Sequence, residues 1–192
     1  REGSELIVAD TRETKLTRHS SQWLRIKPGT GTALLNGIIK LALSEGLYDK
    51  EKSASVPGFS ALSDSVKDFS PEFTSQITGL NEAAFIKAGR KFLSAKSRLL
   101  ALTIGPSENT KDLNTALAGA NLIILTGENP ENLQMPADYC NTFGLRQMGV
   151  SADMLPWYKP AVKKGLDAEE MLYRANTIRC LYIMGEDPVI NF

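Results

Sequence analysis

The chain has 192 residues, enough for one substantial α/β core and too few for two independent ones. Its 42% hydrophobic and 23% charged residues are the balance of an ordinary soluble globular protein. The 22 Lys and Arg offset 22 Asp and Glu, so no net field draws the chain to nucleic acid or to an anionic membrane. No apolar run approaches the roughly 20 residues of a membrane helix, which excludes direct membrane insertion.

Leu6-Ile7-Val8-Ala9-Asp10 is a continuous apolar run closed by a carboxylate, the pattern of a buried parallel strand ending at a functional edge. Trp23-Leu24-Arg25-Ile26 alternates and predicts an edge strand or an extended segment. The Pro28-Gly29 turn then leads into a helix whose Leu34, Leu35, Ile38, Ile39, Leu41 and Ala42 sweep a wide apolar arc. Thr30 is placed to cap that helix and Gly46 to end it. Residues 51–76, richer in Ser, Pro and charge, suggest short helices or a surface excursion. Asn81 opens a second clear helix with Phe85, Ala88 and Phe92 on one face. Leu99–Ile104 reads as a buried strand, 109–118 as a helix, and Leu122-Ile123-Ile124-Leu125 as a strand closed by Thr126–Pro130. Residues 133–163 hold no sustained period and predict a long irregular loop. A last helix over 168–175 and a last strand over 180–184 complete the order. Strands alternating with helices imply one α/β domain over 1–192, built on a mostly parallel sheet flanked by helices.

In such a sheet, ligands sit beyond the carboxyl ends of the strands, where Asp10, Gly105, Gly127 and Gly185 are expected to gather. Asp10 can accept two N–H donors from a purine edge and Arg12 can reach a phosphate; the same Asp can equally cap the turn that follows it. Pro28-Gly29-Thr30-Gly31 lets the backbone approach a ligand, or serves as a plain strand-to-helix turn. Gly185-Glu186-Asp187-Pro188 offers a second such strand end, and Gly127-Glu128-Asn129-Pro130 nearly repeats it. Cys140 and Cys180, without a C-x-x-C pair, describe no iron–sulfur or zinc site. The single His19 has no nucleophile in a catalytic pattern, and no G-x-G-x-x-G follows a strand, which excludes a dinucleotide dehydrogenase motif. The chain begins without Met or a signal peptide and starts and stops on strand-like runs, as a piece of a longer polypeptide would.

Three segments together carry a family resemblance. Residues 27–37 (KPGTGTALLNG) resemble the "PGTD-x-AL-x-x-G" segment of the molybdopterin oxidoreductases. Asp10-Thr11-Arg12-Glu13-Thr14 is similar to that family's "V-V-D-P-R-x-T", and residues 181–188 (LYIMGEDP) to its "L-Y-I-M-G-E-N/D-P". The family contains formate dehydrogenase catalytic subunits, molybdenum nitrate reductases and the large iron–sulfur subunit of bacterial complex I. The resemblance implies a Rossmann-like domain of the formate dehydrogenase/DMSO reductase type. It implies that Asp10, Arg12, Thr14, Pro28, Gly29, Thr30, Gly185, Glu186 and Asp187 hold the guanine half of a molybdopterin guanine dinucleotide, or are the vestige of that site. It places the catalytic and metal-ligating groups and the iron–sulfur clusters in the parent, outside this fragment. It further implies a cytoplasmic subunit, peripheral to a membrane through a complex, whose partners are the remaining domains of the polypeptide and other subunits. Two positions depart from the pattern: Gly31 stands where the family has a guanine-binding Asp, and Asp138 or a neighbour where formate dehydrogenases have a substrate-binding Arg. The first removes one acidic contact to the guanine, and the second favours a complex-I-type subunit over an active formate dehydrogenase. A non-catalytic scaffold or simple nucleotide-binding domain is the alternative.

Overall fold

A computed structural model describes residues 3–103, 110–136 and 141–183 of the chain. The chain divides into two compact units, residues 1–138 and 139–192, each described by itself.

The first unit opens with strand β1 (Ile7–Asp10), the short helix α1 (Lys15–Arg18) and strand β2 (Gln22–Arg25). The strands pair in parallel from Ile7↔Gln22 to Asp10↔Arg25, which bears out the parallel geometry at this end of the chain. Helix α2 (Gly31–Glu45) follows and is apolar over most of its circumference, as a central helix must be. It buries Leu34, Leu35, Ile38, Ile39, Leu41 and Ala42. Gly46 ends it at a φ of 68°, a left-handed position that suits a residue without Cβ. Residues 51–76 resolve into short helices as expected: α3 (Lys50–Ser55), α4 (Phe59–Ser65) and α5 (Pro71–Thr78). Helix α6 (Glu82–Leu93) starts at Asn81, whose Oδ1 accepts the Ala84 N–H at 3.1 Å.

Helix α2 packs against α5, α6 and α7 (Thr110–Leu125), and these contacts form the core. Gly37 lets α5 approach closely: a Cβ there would stand 2.5 Å from the Thr74 hydroxyl. The expected strand at Leu122–Leu125 is instead the last turn of α7. A short apolar run is consistent with either element, and packing decides. Here Ala118, Leu122 and Leu125 recur at helical spacing within the buried core. The Thr126 N–H continues the ladder to Leu122 C=O at 3.0 Å. The Leu125 carbonyl, which the helix itself leaves unpaired, accepts the Asp49 N–H at 3.0 Å.

The predicted strand at 99–104 is shorter than expected. Strand β3 comprises only Leu100–Ala101, paired in parallel with β4 (Leu133–Gln134), while Leu99 is exposed. Among the described residues there is therefore an α/β arrangement with two separate two-stranded parallel pairs in the first unit. Arg98 joins the ends of α6 and α7. Its guanidinium donates to the Phe92 and Leu93 carbonyls, at 3.0 and 2.7 Å, and to Glu128 Oε1 at 2.8 Å. Asn132 Nδ2 closes the network by donating to Glu128 Oε2 and to the Arg98 carbonyl, both at 2.8 Å.

In the second unit, residues expected as irregular loop carry helix α8 (Thr142–Gln147) and an antiparallel hairpin of β5 (Met154–Leu155) and β6 (Lys159–Pro160). Helix α9 (Ala168–Tyr173) follows, with Asp167 and Glu170 forming a capping box at its start. A 3-10 turn spans Ala175–Thr177. Residues 180–183, expected as strand, form none: an apolar run becomes a strand only where a neighbour completes its hydrogen bonds, and none of the strands among the described residues pairs with this run.

Candidate functional site

Parallel pairing of β1 and β2 sends both following segments out of the same sheet edge. Asp10 and Arg25 face each other as the last pair. The Asp10 carbonyl accepts the Trp23 indole N–H at 3.2 Å and the Ile26 N–H at 3.3 Å, locking the two strand ends together. The Arg25 guanidinium carbon lies 5.9 Å from the Trp23 ring centroid, within cation–π range. One carboxylate oxygen of Asp10 accepts the Arg12 N–H at 3.2 Å, which is the turn-capping use that the sequence left open. Thr14 sits at the start of α1, where its hydroxyl accepts the Thr17 N–H and its own N–H donates to the Thr17 hydroxyl. Both side chains thus already have partners, whereas Arg12 is exposed.

The segment after β2 is a turn held from two sides. The Lys27 N–H donates to the Thr78 carbonyl at 2.9 Å, fixing it to the end of α5. The Lys27 carbonyl accepts from the Thr30 N–H at 3.3 Å and from the Thr30 hydroxyl at 2.7 Å. Thr30 therefore does not cap α2 with its side chain, contrary to expectation, because its hydroxyl is already committed backwards. Its helix consequently begins without a side-chain acceptor on its first-turn amides, a terminus that carries partial positive charge. Pro28 and Gly29 are exposed, and Gly29, at a φ of 74°, has nothing within 4 Å of where a Cβ would stand. Gly31 is different: a Cβ there would lie 3.4 Å from Thr115 Cγ2 on α7. The next residue, Thr32, hydrogen-bonds the Thr115 hydroxyl at 2.8 Å.

Two of the three predicted site segments are thus brought to one edge. Gly185, Glu186 and Asp187 lie outside the described residues, as do Gly105, Cys140 and Asp138. Gly127, expected at a strand end, instead follows the end of α7 at a φ of 75°, and Glu128 is spent in the Arg98 ion pair. Sequence reading missed Arg25 and Lys27, exposed cations at the same edge. The alternation of residues 23–26 was the available signal, since it puts Arg25 on the face opposite buried Leu24 at a strand end. Among the described residues no group of three His, Cys, Asp or Glu side chains is placed to hold a metal, and no helix is long and apolar enough to cross a membrane. Exposed cations, open backbone and a helix terminus at one edge are a combination that favours an anion.

No protein-family model matches the chain. It is 28% identical over 98% of its length to the F420-dependent formate dehydrogenase subunit alpha of Methanocaldococcus jannaschii, covering 31% of that protein. To formate dehydrogenase H of Escherichia coli it is 29% identical over 98% of the chain and 30% of the relative. The assimilatory nitrate reductase catalytic subunit of Bacillus subtilis matches at 26% identity with the same coverage. Among solved structures, acetylene hydratase from Pelobacter acetylenicus superposes with a TM-score of 0.59 and 27% identity, over 67% of this chain and 18% of that one. The chain spans under a third of the length of these curated relatives. It is a homologue of the formate dehydrogenase alpha subunits and related molybdopterin oxidoreductases, and it corresponds to a portion of such a subunit.

Proposed function

We propose that this chain is the domain of an oxidoreductase large subunit that holds the guanine dinucleotide half of a molybdopterin cofactor. The observation that carries the reading is the shared edge of β1 and β2. There Asp10, Arg12 and Thr14 leave one strand, Pro28, Gly29 and Thr30 leave its neighbour, and the uncapped start of α2 follows at once. These residues fit a phosphate-bearing group: the Gly29 backbone is open, and Arg12, Arg25 and Lys27 supply exposed positive charge. In this role Arg12 and Arg25 neutralise phosphate, the first-turn amides of α2 donate to it, and Asp10 retains a second carboxylate oxygen for a purine N–H. When bound, the cofactor would supply the redox centre; the chain's own part is to hold and orient it. Gly185, Glu186 and Asp187, outside the described residues, are assigned to the cofactor in this reading by the family resemblance alone. The two parallel pairs are, likewise, parts of a larger Rossmann-like sheet. Its partners are the remaining domains of the subunit and the other subunits of an electron-transfer complex in the cytoplasm, peripheral to a membrane, with iron–sulfur clusters outside these residues.

A second reading, a vestigial edge in a scaffold of the complex I type, is favoured by specific contacts. Asp10 and Thr14 have local partners, and Gly31 stands where the family's guanine-binding Asp would project. Molybdenum and pterin analysis of the polypeptide carrying this sequence separates the two. Cofactor at stoichiometric amount, lowered about tenfold in Arg12→Ala and Arg25→Ala, supports the first reading, since a hydrogen bond to a charged group is worth about 1.5–3 kcal/mol. A folded protein without pterin, indifferent to guanine nucleotide at millimolar concentration, supports the scaffold.

A further inference from the structure

The turn between β2 and α2 is fastened through a single residue. The last turn of α5 leaves carbonyls without helical partners, and two of them are taken by Lys27. The Thr78 carbonyl accepts the Lys27 backbone N–H at 2.9 Å, and the Gln76 carbonyl accepts its ammonium at 3.3 Å. A cation at this place also meets the partial negative charge of the helix end. Gly79, at a φ of 77°, sets the path of the side chain. A Cβ there would stand 2.9 Å from Lys27 Cε and 3.3 Å from its Cγ, so the bare glycine is the surface over which the stem lies. On the side of the site, the Lys27 carbonyl holds both the N–H and the hydroxyl of Thr30, one residue before α2 begins. The tip between them adds no hold of its own: Pro28 has no N–H to donate, and Gly29 stands clear of any neighbour.

We infer that Lys27 is a positioning residue: with its stem on Gly79 and its ammonium on the Gln76 carbonyl, it latches the Pro28-Gly29-Thr30 turn to α5 and fixes where the open backbone and the first-turn amides of α2 meet an anion. Backbone donors bind an anion well only if they are held in place beforehand, since a loose turn must be ordered at the expense of affinity. The charge of Lys27 still adds to the field at the edge, but its contacts are spent on the scaffold. Arg12 and Arg25 are left as the cations that touch the ligand. The inference deepens the cofactor reading and rests on it for the identity of the anion; the latch itself rests on the contacts among Lys27, Gln76, Thr78 and Gly79.

Hydrogen exchange with mass spectrometry, on the polypeptide carrying this sequence, tests the latch. Lys27→Met keeps most of the stem and deletes the ammonium. Gly79→Asn keeps a residue that tolerates positive φ but adds the Cβ that displaces the stem. Each should speed exchange of the amides in residues 26–31 by about two- to fivefold, with residues 82–93 of α6 unchanged as the reference for global stability. The double variant should be no faster than either single one, and Lys27→Arg should restore the parent rate. A parent rate in Lys27→Met overturns the latch, and so does an additive double variant. Pterin content of the same samples separates positioning from direct contact. Positioning predicts that Lys27→Met and Gly79→Asn both lower it by about two- to fivefold, with recovery in Lys27→Arg. Pterin lost in Lys27→Met but retained in Gly79→Asn overturns the inference, because the freed ammonium would then act on the ligand itself. Pterin unchanged in Lys27→Met despite a loosened turn also overturns it. A parent protein without pterin whose turn loosens in Lys27→Met refutes the cofactor reading alone; full pterin content in every variant with an unaffected turn refutes the latch alone.

Discussion

The two units differ in where their apolar residues go. In residues 1–138, Ile39, Phe85, Leu122 and Leu125 are fully enclosed, and every long helix contributes to one core. In the described part of 139–192, Leu155, Tyr173 and Tyr182 remain in water, and local order comes from caps, a hairpin and hydrogen bonds. The difference teaches that secondary structure and a core are separable: capping and turn chemistry suffice to shape short elements, but only burial makes a unit resist substitution cooperatively.

Phe85→Ala should show the contrast at its strongest. This ring of α6 is entirely buried in the core, and its loss should cost about 3–5 kcal/mol in denaturant unfolding. A cost near zero would mean that the first unit has no better core than the second. Glu128→Ala comes next, leaving Arg98, only 15% exposed, without its carboxylate partner; a loss of about 2–3 kcal/mol is expected in the same measurement. The Glu45–Arg90 pair gives a smaller, pH-dependent effect. Hydrogen bonding from Arg90 holds the Glu45 carboxyl below its usual range, against the opposing effect of partial burial. A carboxyl lowered in the folded state stabilises above its unfolded pKa, and the gain is lost as pH falls below about 4.3 through the lowered value. Thermal melts of the parent protein and Glu45→Gln should therefore differ by under about 1 kcal/mol at pH 7 and converge in acid; equal melts at both pH values would leave the pair without a role. Tyr173→Ala, on the exposed side of α9, should change the stability of the 192-residue chain by no more than about 0.5 kcal/mol. A loss as large as that of Phe85→Ala would erase the distinction between the units.

Where a local signal was strong, sequence reading matched the structure. The arc of Leu34 to Ala42, Gly46 at the end of α2 and Asn81 at the start of α6 need only periodicity and caps, which neighbouring residues set among themselves. The candidate edge was half legible. Asp10 and the Pro28-Gly29 turn stand out in the string, but Arg25 enters the site only through the β1–β2 register. The misreadings share a cause. Leu122–Leu125 and Cys180–Ile183 look alike as apolar runs, yet the first completes a helix against α2 and the second forms no element.

Residue order alone settled the α/β alternation at the start of the chain, the helix boundaries with clear caps, and the kinship carried by Asp10–Thr14 and Lys27–Gly37. Tertiary contact decided whether an apolar run became helix or strand, whether the Asp10 and Thr14 side chains were free or engaged, and which unit acquired a core. The reason is physical: caps and periodicity act within a turn or two of the chain, whereas burial and hydrogen-bond partners come from residues far away along it.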